Sequence, residues 1–164
     1  MSLPLPERLT ARVILLDEQD RILLMKGRFP NDRTGSGAWF TVGGGAAPGE
    51  SILEAAAREV REETGLAVEL GPIVWRREGI GRDHTGEKLL FRESYVVARC
   101  AGGEPSRESW EAHEHDLVDD IRWWTLDELA ACEEAVYPEG LASLLPDIIA
   151  GDYPAEPRDL KAIT

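Results

Sequence analysis

The segment GGGAAPGESILEAAAREVREETGL, residues 43–66, constrains this chain more than any other. Three glycines precede Ser51, a residue type that caps helix starts, and Gly65 follows the last periodic position, where helices stop. Between them Ile52, Leu53, Ala56, Ala57 and Val60 recur at helical spacing. The segment therefore predicts a helix from Ser51 to about Thr64 with one buried stripe. Glu59, Glu62 and Glu63 are mutual neighbours at i, i+3 and i+4. At ~100° per residue Glu63 falls about 20° from Ile52, inside the apolar sector.

Each like-charged pair at such spacing costs roughly 0.2–0.5 kcal/mol in water. The cost rises beside a core, and the last turns of a helix disfavour negative charge. A charged surface helix with Arg58 and Arg61 as salt-bridge partners is the plainer reading, but it leaves Glu63 facing the core. A hard divalent cation relieves every one of these conflicts. An all-oxygen donor set without His or Cys selects Mg²⁺ or Mn²⁺ over zinc. Gly43, Gly44 and Gly45 permit close backbone approach, so carbonyls or amides can face an ion or a phosphate. Neither GxxxxGK[ST] nor an EF-hand loop is present.

The rest of the chain predicts a mixed sheet flanked by helices. Residues 12–16 and 21–25 read as a hairpin, and 38–42 as a strand running into the glycines. Strands follow around 73–77, 89–100 and 121–124. Thr125 and Glu128 have capping-box spacing for a short helix, and 138–150 form another. Residues 27–37, 78–88 and 101–117 read as loops that set specificity. With 164 residues the chain is expected to form one domain, with a core over about 8–150 and a loosely held tail from 151 to 164.

Net charge is −13, from 31 acidic and 18 basic residues. Such a surface repels long nucleic acid, yet a local pocket can still take a small phosphorylated ligand. No apolar run approaches the ~18 residues that span a bilayer, and MSLPLPERLT lacks the pattern of a secretory signal. The expectation is a cytoplasmic protein with no membrane partner. Cys100 and Cys132 read as packing residues; His84, His113 and His115 form no HExxH, and His113 and His115, which at i, i+2 could share a metal on a strand face, read instead as residues of a solvated loop.

Gly44, Glu50 and Arg58-Glu59-Val60-Arg61-Glu62-Glu63-Thr64-Gly65-Leu66 match G-x5-E-x7-R-E-U-x-E-E-x-G-U, where U is a bulky aliphatic residue. The segment thus resembles the Nudix box. The likeness extends loosely over residues 8–133, through Trp39 to Gly45 and Arg122-Trp123-Trp124. Val42 departs from it, standing where relatives often carry proline.

The resemblance implies an α/β/α sandwich around a mixed sheet and Mg²⁺-dependent hydrolysis of a nucleoside diphosphate linked to another group, as in ADP-ribose or a nucleotide sugar. It makes Glu59, Glu62 and Glu63 metal ligands, joined by the Gly43 carbonyl. Arg58 would orient Glu59, and Glu50 would hold the loop–helix junction. Glu114, with Glu111 behind it, is the candidate for a further carboxylate from a late loop. Glu59, Glu62 or Glu114 would take the proton of the attacking water.

Arg12, Arg28, Arg76 and Arg77 are candidates for gripping phosphates, and Trp39 or Phe40 for stacking on a base. Homodimers occur among relatives. Two alternatives stand beside this reading. One is hydrolysis of ordinary or oxidised (d)NTPs to a nucleoside monophosphate and pyrophosphate. The other is a non-hydrolytic role on the same fold, as an isomerase or a ligand-binding module.

Overall fold

The computed structural model describes residues 4–27, 37–83, 85–106 and 118–160. Its elements are β1 (Glu7–Leu16), β2 (Ile22–Gly27), β3 (Ala38–Gly45), α1 (Ile52–Thr64), β4 (Glu69–Arg82) and β5 (Lys88–Arg99), followed by β6 (Val118–Trp124), α2 (Leu126–Ala131), β7 (Val136–Tyr137), α3 (Leu141–Ile149) and β8 (Arg158–Asp159). The strands form one mixed sheet in the order β6-β2-β3-β1-β5-β4-β8, with β7 against β3.

The first hairpin exists only at its root. Asp17 organises the turn: its Oδ1 accepts from the backbone N–H groups of Gln19 at 2.9 Å and Arg21 at 2.8 Å, and its Oδ2 accepts from Arg21 Nε at 2.7 Å. Leu16 pairs with Ile22, and the two strands then splay. β3 enters the gap, antiparallel to both. β1 then runs parallel to β5 along its whole length, from Glu7↔Leu90 to Leu16↔Arg99.

Alternation along β1 and β5 divides the core in two. Ala11, Val13, Leu15, Val96 and Ala98 face α1, where Ala55, Ala56 and Val60 are small enough for the helix to lie close. Ile14, Leu16, Trp75, Tyr95 and Val97 face α2 and α3 through Leu129, Leu141, Leu145 and Ile148. The result is the three-layer sandwich expected from the sequence. Among the described residues no helix is long and apolar enough to cross a membrane.

Three expectations need correcting. The strand expected over 38–42 continues through Gly43–Gly45, which lie opposite Arg12, Ala11 and Thr10. Residues 78–88 are no open loop, because β4 and β5 pair in register out to Arg82↔Lys88. The tail after residue 151 is docked: Arg158 and Asp159 pair with Trp75 and Arg76, and Tyr153 and Leu160 pack on the core.

Candidate active site

Helix α1 begins and ends where its capping residues dictate. Ser51 Oγ accepts from the Glu54 N–H at 3.1 Å, and Glu54 Oε1 accepts from the Ser51 N–H at 3.1 Å, while Gly65 ends the helix in the left-handed conformation. Fixed in this way, the helix presents its acidic end to the glycines of β3.

Glu63 is only 5% exposed. Its Oε1 accepts from the Gly43 N–H at 3.0 Å. Gly43 has φ 140°, and a Cβ on it would stand 2.1 Å from the Ala11 carbonyl oxygen, so no side chain fits here. Gly44 lies beneath Glu59, whose carboxyl is in hydrogen-bond contact with that of Glu63. Burial, and then the neighbouring charge of Glu59, push the Glu63 carboxyl well above the ordinary carboxylate range. Arg12 and the Gly43 N–H pull the other way.

Arg58 ties this pair to the loop before the helix. Its Nε and Nη2 donate to the two oxygens of Glu50, each at 2.8 Å, and Nη2 also donates to the Gly45 carbonyl at 3.0 Å. Nη1 donates to Glu59 Oε1 at 2.9 Å and to Glu62 Oε2 at 3.2 Å. Glu50 Oε1 accepts in addition from the Ala47 N–H at 2.9 Å. The Arg58 hydrogen bonds, then the one from Ala47, hold the Glu50 carboxyl down at about 2.

Glu59 and Glu63 thus form a close carboxyl pair, while Glu62, with its side chain 49% exposed, is turned to Arg58. Among the described residues no three acidic, His or Cys side chains converge on one point. Even so, two touching carboxyls, one of them buried, suit a hard divalent cation. Without one, burial and then the charge of Glu59 favour the protonated form of Glu63.

The structure separates the remaining candidates. Trp39 is 3% exposed and packs edge-on to Trp124 at 4.9 Å between ring centroids. Lys26 and Arg122 lie over its ring. A ring covered like this offers no face to a base, so the stacking expectation for Trp39 is withdrawn. Arg76 is exposed on β4, in the row Gly44, Ala11, Ser94, Arg76 that crosses the sheet on the α1 side. Arg28, Glu111, Glu114 and the three histidines lie outside the described residues.

Sequence reasoning passed over Glu93 and Tyr95. Neither belongs to a motif. Only the pairing of β5 with β1 and β4 brings them beside Arg12 and Arg77, where Tyr95 donates its hydroxyl to Glu93 Oε2 at 2.9 Å.

A mixed sheet between helices, with a capped helix delivering a carboxyl pair onto glycines, defines a phosphoanhydride hydrolase of the Nudix type. The NUDIX domain pattern matches residues 6–147, and the chain belongs to that family. It is a pyrophosphohydrolase, and the family typically depends on a divalent metal ion.

Similarity to individual proteins spreads over several activities. The RNA pyrophosphohydrolase of Novosphingobium aromaticivorans is 33% identical over 129 residues, covering 73% of this chain and 78% of that protein. Human 8-oxo-dGDP phosphatase NUDT18 is 40% identical over 72 residues, which make up 40% of this chain and 21% of that protein. The MutT protein of Bacillus halodurans superposes with a TM-score of 0.62 at 23% identity, over 96% of this chain and 90% of that one. At that identity the likeness is one of fold.

Proposed function

We propose that this chain hydrolyses the diphosphate of a nucleoside diphosphate joined to a second group, such as ADP-ribose or a nucleotide sugar, with Mg²⁺ as its ion. The contact between buried Glu63 and Glu59, pressed against Gly43 and Gly44, carries this reading. Glu59, Glu62 and Glu63 would hold the ion together with the Gly43 carbonyl. When bound, it screens the diphosphate charge and acidifies a coordinated water.

The protein's own part is to aim these groups. Arg58 fixes the Glu59 carboxyl through Nη1, and Glu50 fixes Arg58 through a two-pronged hydrogen bond. Glu63 is locked to β3 through Gly43. The proton of the attacking water passes to Glu59, Glu62 or Glu114. Arg28 and Arg76 are proposed to meet the outer parts of the substrate. The charge of −13 favours a small substrate free in the cytoplasm over a long polyanion.

Likeness to an RNA pyrophosphohydrolase supports a second reading, removal of pyrophosphate from a triphosphorylated RNA 5′ end. One panel separates the two. The protein is incubated with Mg²⁺ and ADP-ribose, a nucleotide sugar, dGTP, 8-oxo-dGDP or a short triphosphorylated RNA, and the products are resolved. Release of AMP and ribose 5-phosphate from ADP-ribose at the highest kcat/KM supports the first reading. A higher kcat/KM on the RNA, with pyrophosphate released, replaces it with the second.

A further inference from the structure

The carboxyls of α1 occupy one face of the sheet. On the other face the register sets Gly45, Thr10, Glu93 and Arg77 in one row, and Gly43, Arg12, Tyr95 and Trp75 in the next. Glu93 is the one anion of these two rows. Arg77 Nη2 donates to both of its oxygens at 3.3 Å, and Arg12 Nε lies 3.8 Å from Oε2. Tyr95 adds its hydroxyl to the same carboxylate.

Two guanidinium groups therefore share one carboxylate, leaving an excess of positive charge in a chain of net charge −13. Arg77 is only 8% exposed, and among the described residues its Nε meets no hydrogen-bond partner. A buried, incompletely paired cation is costly unless an anion completes it. Arg12 is the more open of the two, and its charge also reaches Glu63. Beside them Gly43 and Gly45 carry no side chain, and the Arg8 guanidinium, on the same face of β1, lies over Gly45.

We propose that Arg12 and Arg77 grip a phosphate of the substrate's diphosphate from the sheet side, across β3 and β1 from the α1 carboxyls. The proposal rests on the pyrophosphohydrolase reading and adds to it the two cations that hold the anion. Guanidinium suits the task because it donates two parallel hydrogen bonds to phosphate oxygens. Glu93 keeps the two forks from spreading while the site is empty.

The test uses methylenediphosphonate, which keeps both phosphoryl groups but cannot be hydrolysed, titrated into the full chain with Mg²⁺. Arg12→Gln and Arg77→Lys are each expected to weaken its binding at least tenfold, while Arg92→Gln, whose guanidinium pairs with Glu7 and Glu78 and not with Glu93, stays within twofold of wild type. Thermal unfolding verifies that each variant is folded, and Arg12→Gln carries the test alone if Arg77→Lys is not. Binding within twofold of wild type in folded Arg12→Gln overturns the proposal, as does a wild-type protein that binds no probe at 10 millimolar, a ceiling of about −2.7 kcal/mol. The reading of α1 is tested separately by Glu63→Gln. If that variant loses hydrolysis while Arg12→Gln keeps its affinity, the arginine grip alone falls. If Glu63→Gln hydrolyses as well as wild type while Arg12→Gln loses affinity, the assignment of the carboxyls falls and the grip stands.

Discussion

Gly44 lies directly beneath Glu59: a Cβ added to it would stand 2.6 Å from the Glu59 carboxyl carbon. The glycine is required here by its neighbour, since the acid can reach this position only over bare backbone. Gly44→Ala is therefore expected to push Glu59 off its place and lower kcat at least ~10²-fold, the scale on which about 1 Å of misplacement acts. A steady-state assay checks this, alongside a melting temperature that changes little. Turnover within threefold of wild type would show that the Glu59 position is not needed.

Glu63→Gln keeps the shape and the acceptor for the Gly43 N–H while removing a buried charge. In the metal-free protein the folded-state proton affinity of Glu63 is raised, so its contribution to stability is lost as pH climbs from the ordinary value of 4.5 through the raised one. The variant should flatten that part of the stability curve. In EDTA at neutral pH it should melt a few degrees higher than wild type, at roughly 2–4 °C per kcal/mol for a domain of this size. With Mg²⁺ present its turnover should fall at least ~10²-fold.

Glu50 gives the opposite slope. Its carboxyl is held at about 2, below the ordinary 4.5, so the stability it confers is fully present above pH 4.5 and is lost as pH falls through 2. Glu50→Gln should make the acid side of the stability curve shallower between those limits. It should also lower kcat at neutral pH, because Arg58 loses the anchor that aims it at Glu59. A pH series of urea unfolding measures the first effect, and an unchanged slope would contradict it.

Truncation after Asp152 removes β8 together with Tyr153 and Leu160, which pack on the core. The expected loss is about 2 kcal/mol from apolar area returned to water. Scanning calorimetry of the shortened chain measures it. An unchanged melting temperature would mean that the tail only rests on the sheet.

The sequence announced α1 with both its ends, because a capping serine and a terminal glycine act locally. It also announced Glu63 as an acid on the buried face, since helical periodicity alone sets that angle. Trp39 misled: an aromatic beside a glycine-rich site looks like a stacking platform, but its strand parity turned it toward Trp124. The splayed hairpin, the docked tail and the Glu93 cluster depend on which strands become neighbours. No local pattern encodes that choice. Arg12 and Arg77 were visible as candidates singly, and their sharing of one carboxylate emerged only from the register of β1, β5 and β4.

The parallel seam between β1 and β5 also has a consequence for how the enzyme comes into being. Thr10 meets Glu93 only after more than half of the chain has been synthesised and threaded back to its beginning. Pairings so distant in sequence close slowly, on a scale of roughly milliseconds to seconds. A nascent chain carrying a finished α1 therefore still lacks the strand that brings Glu93 and Arg77 to its amino-terminal residues, so the cluster cannot assemble until β5 has been made.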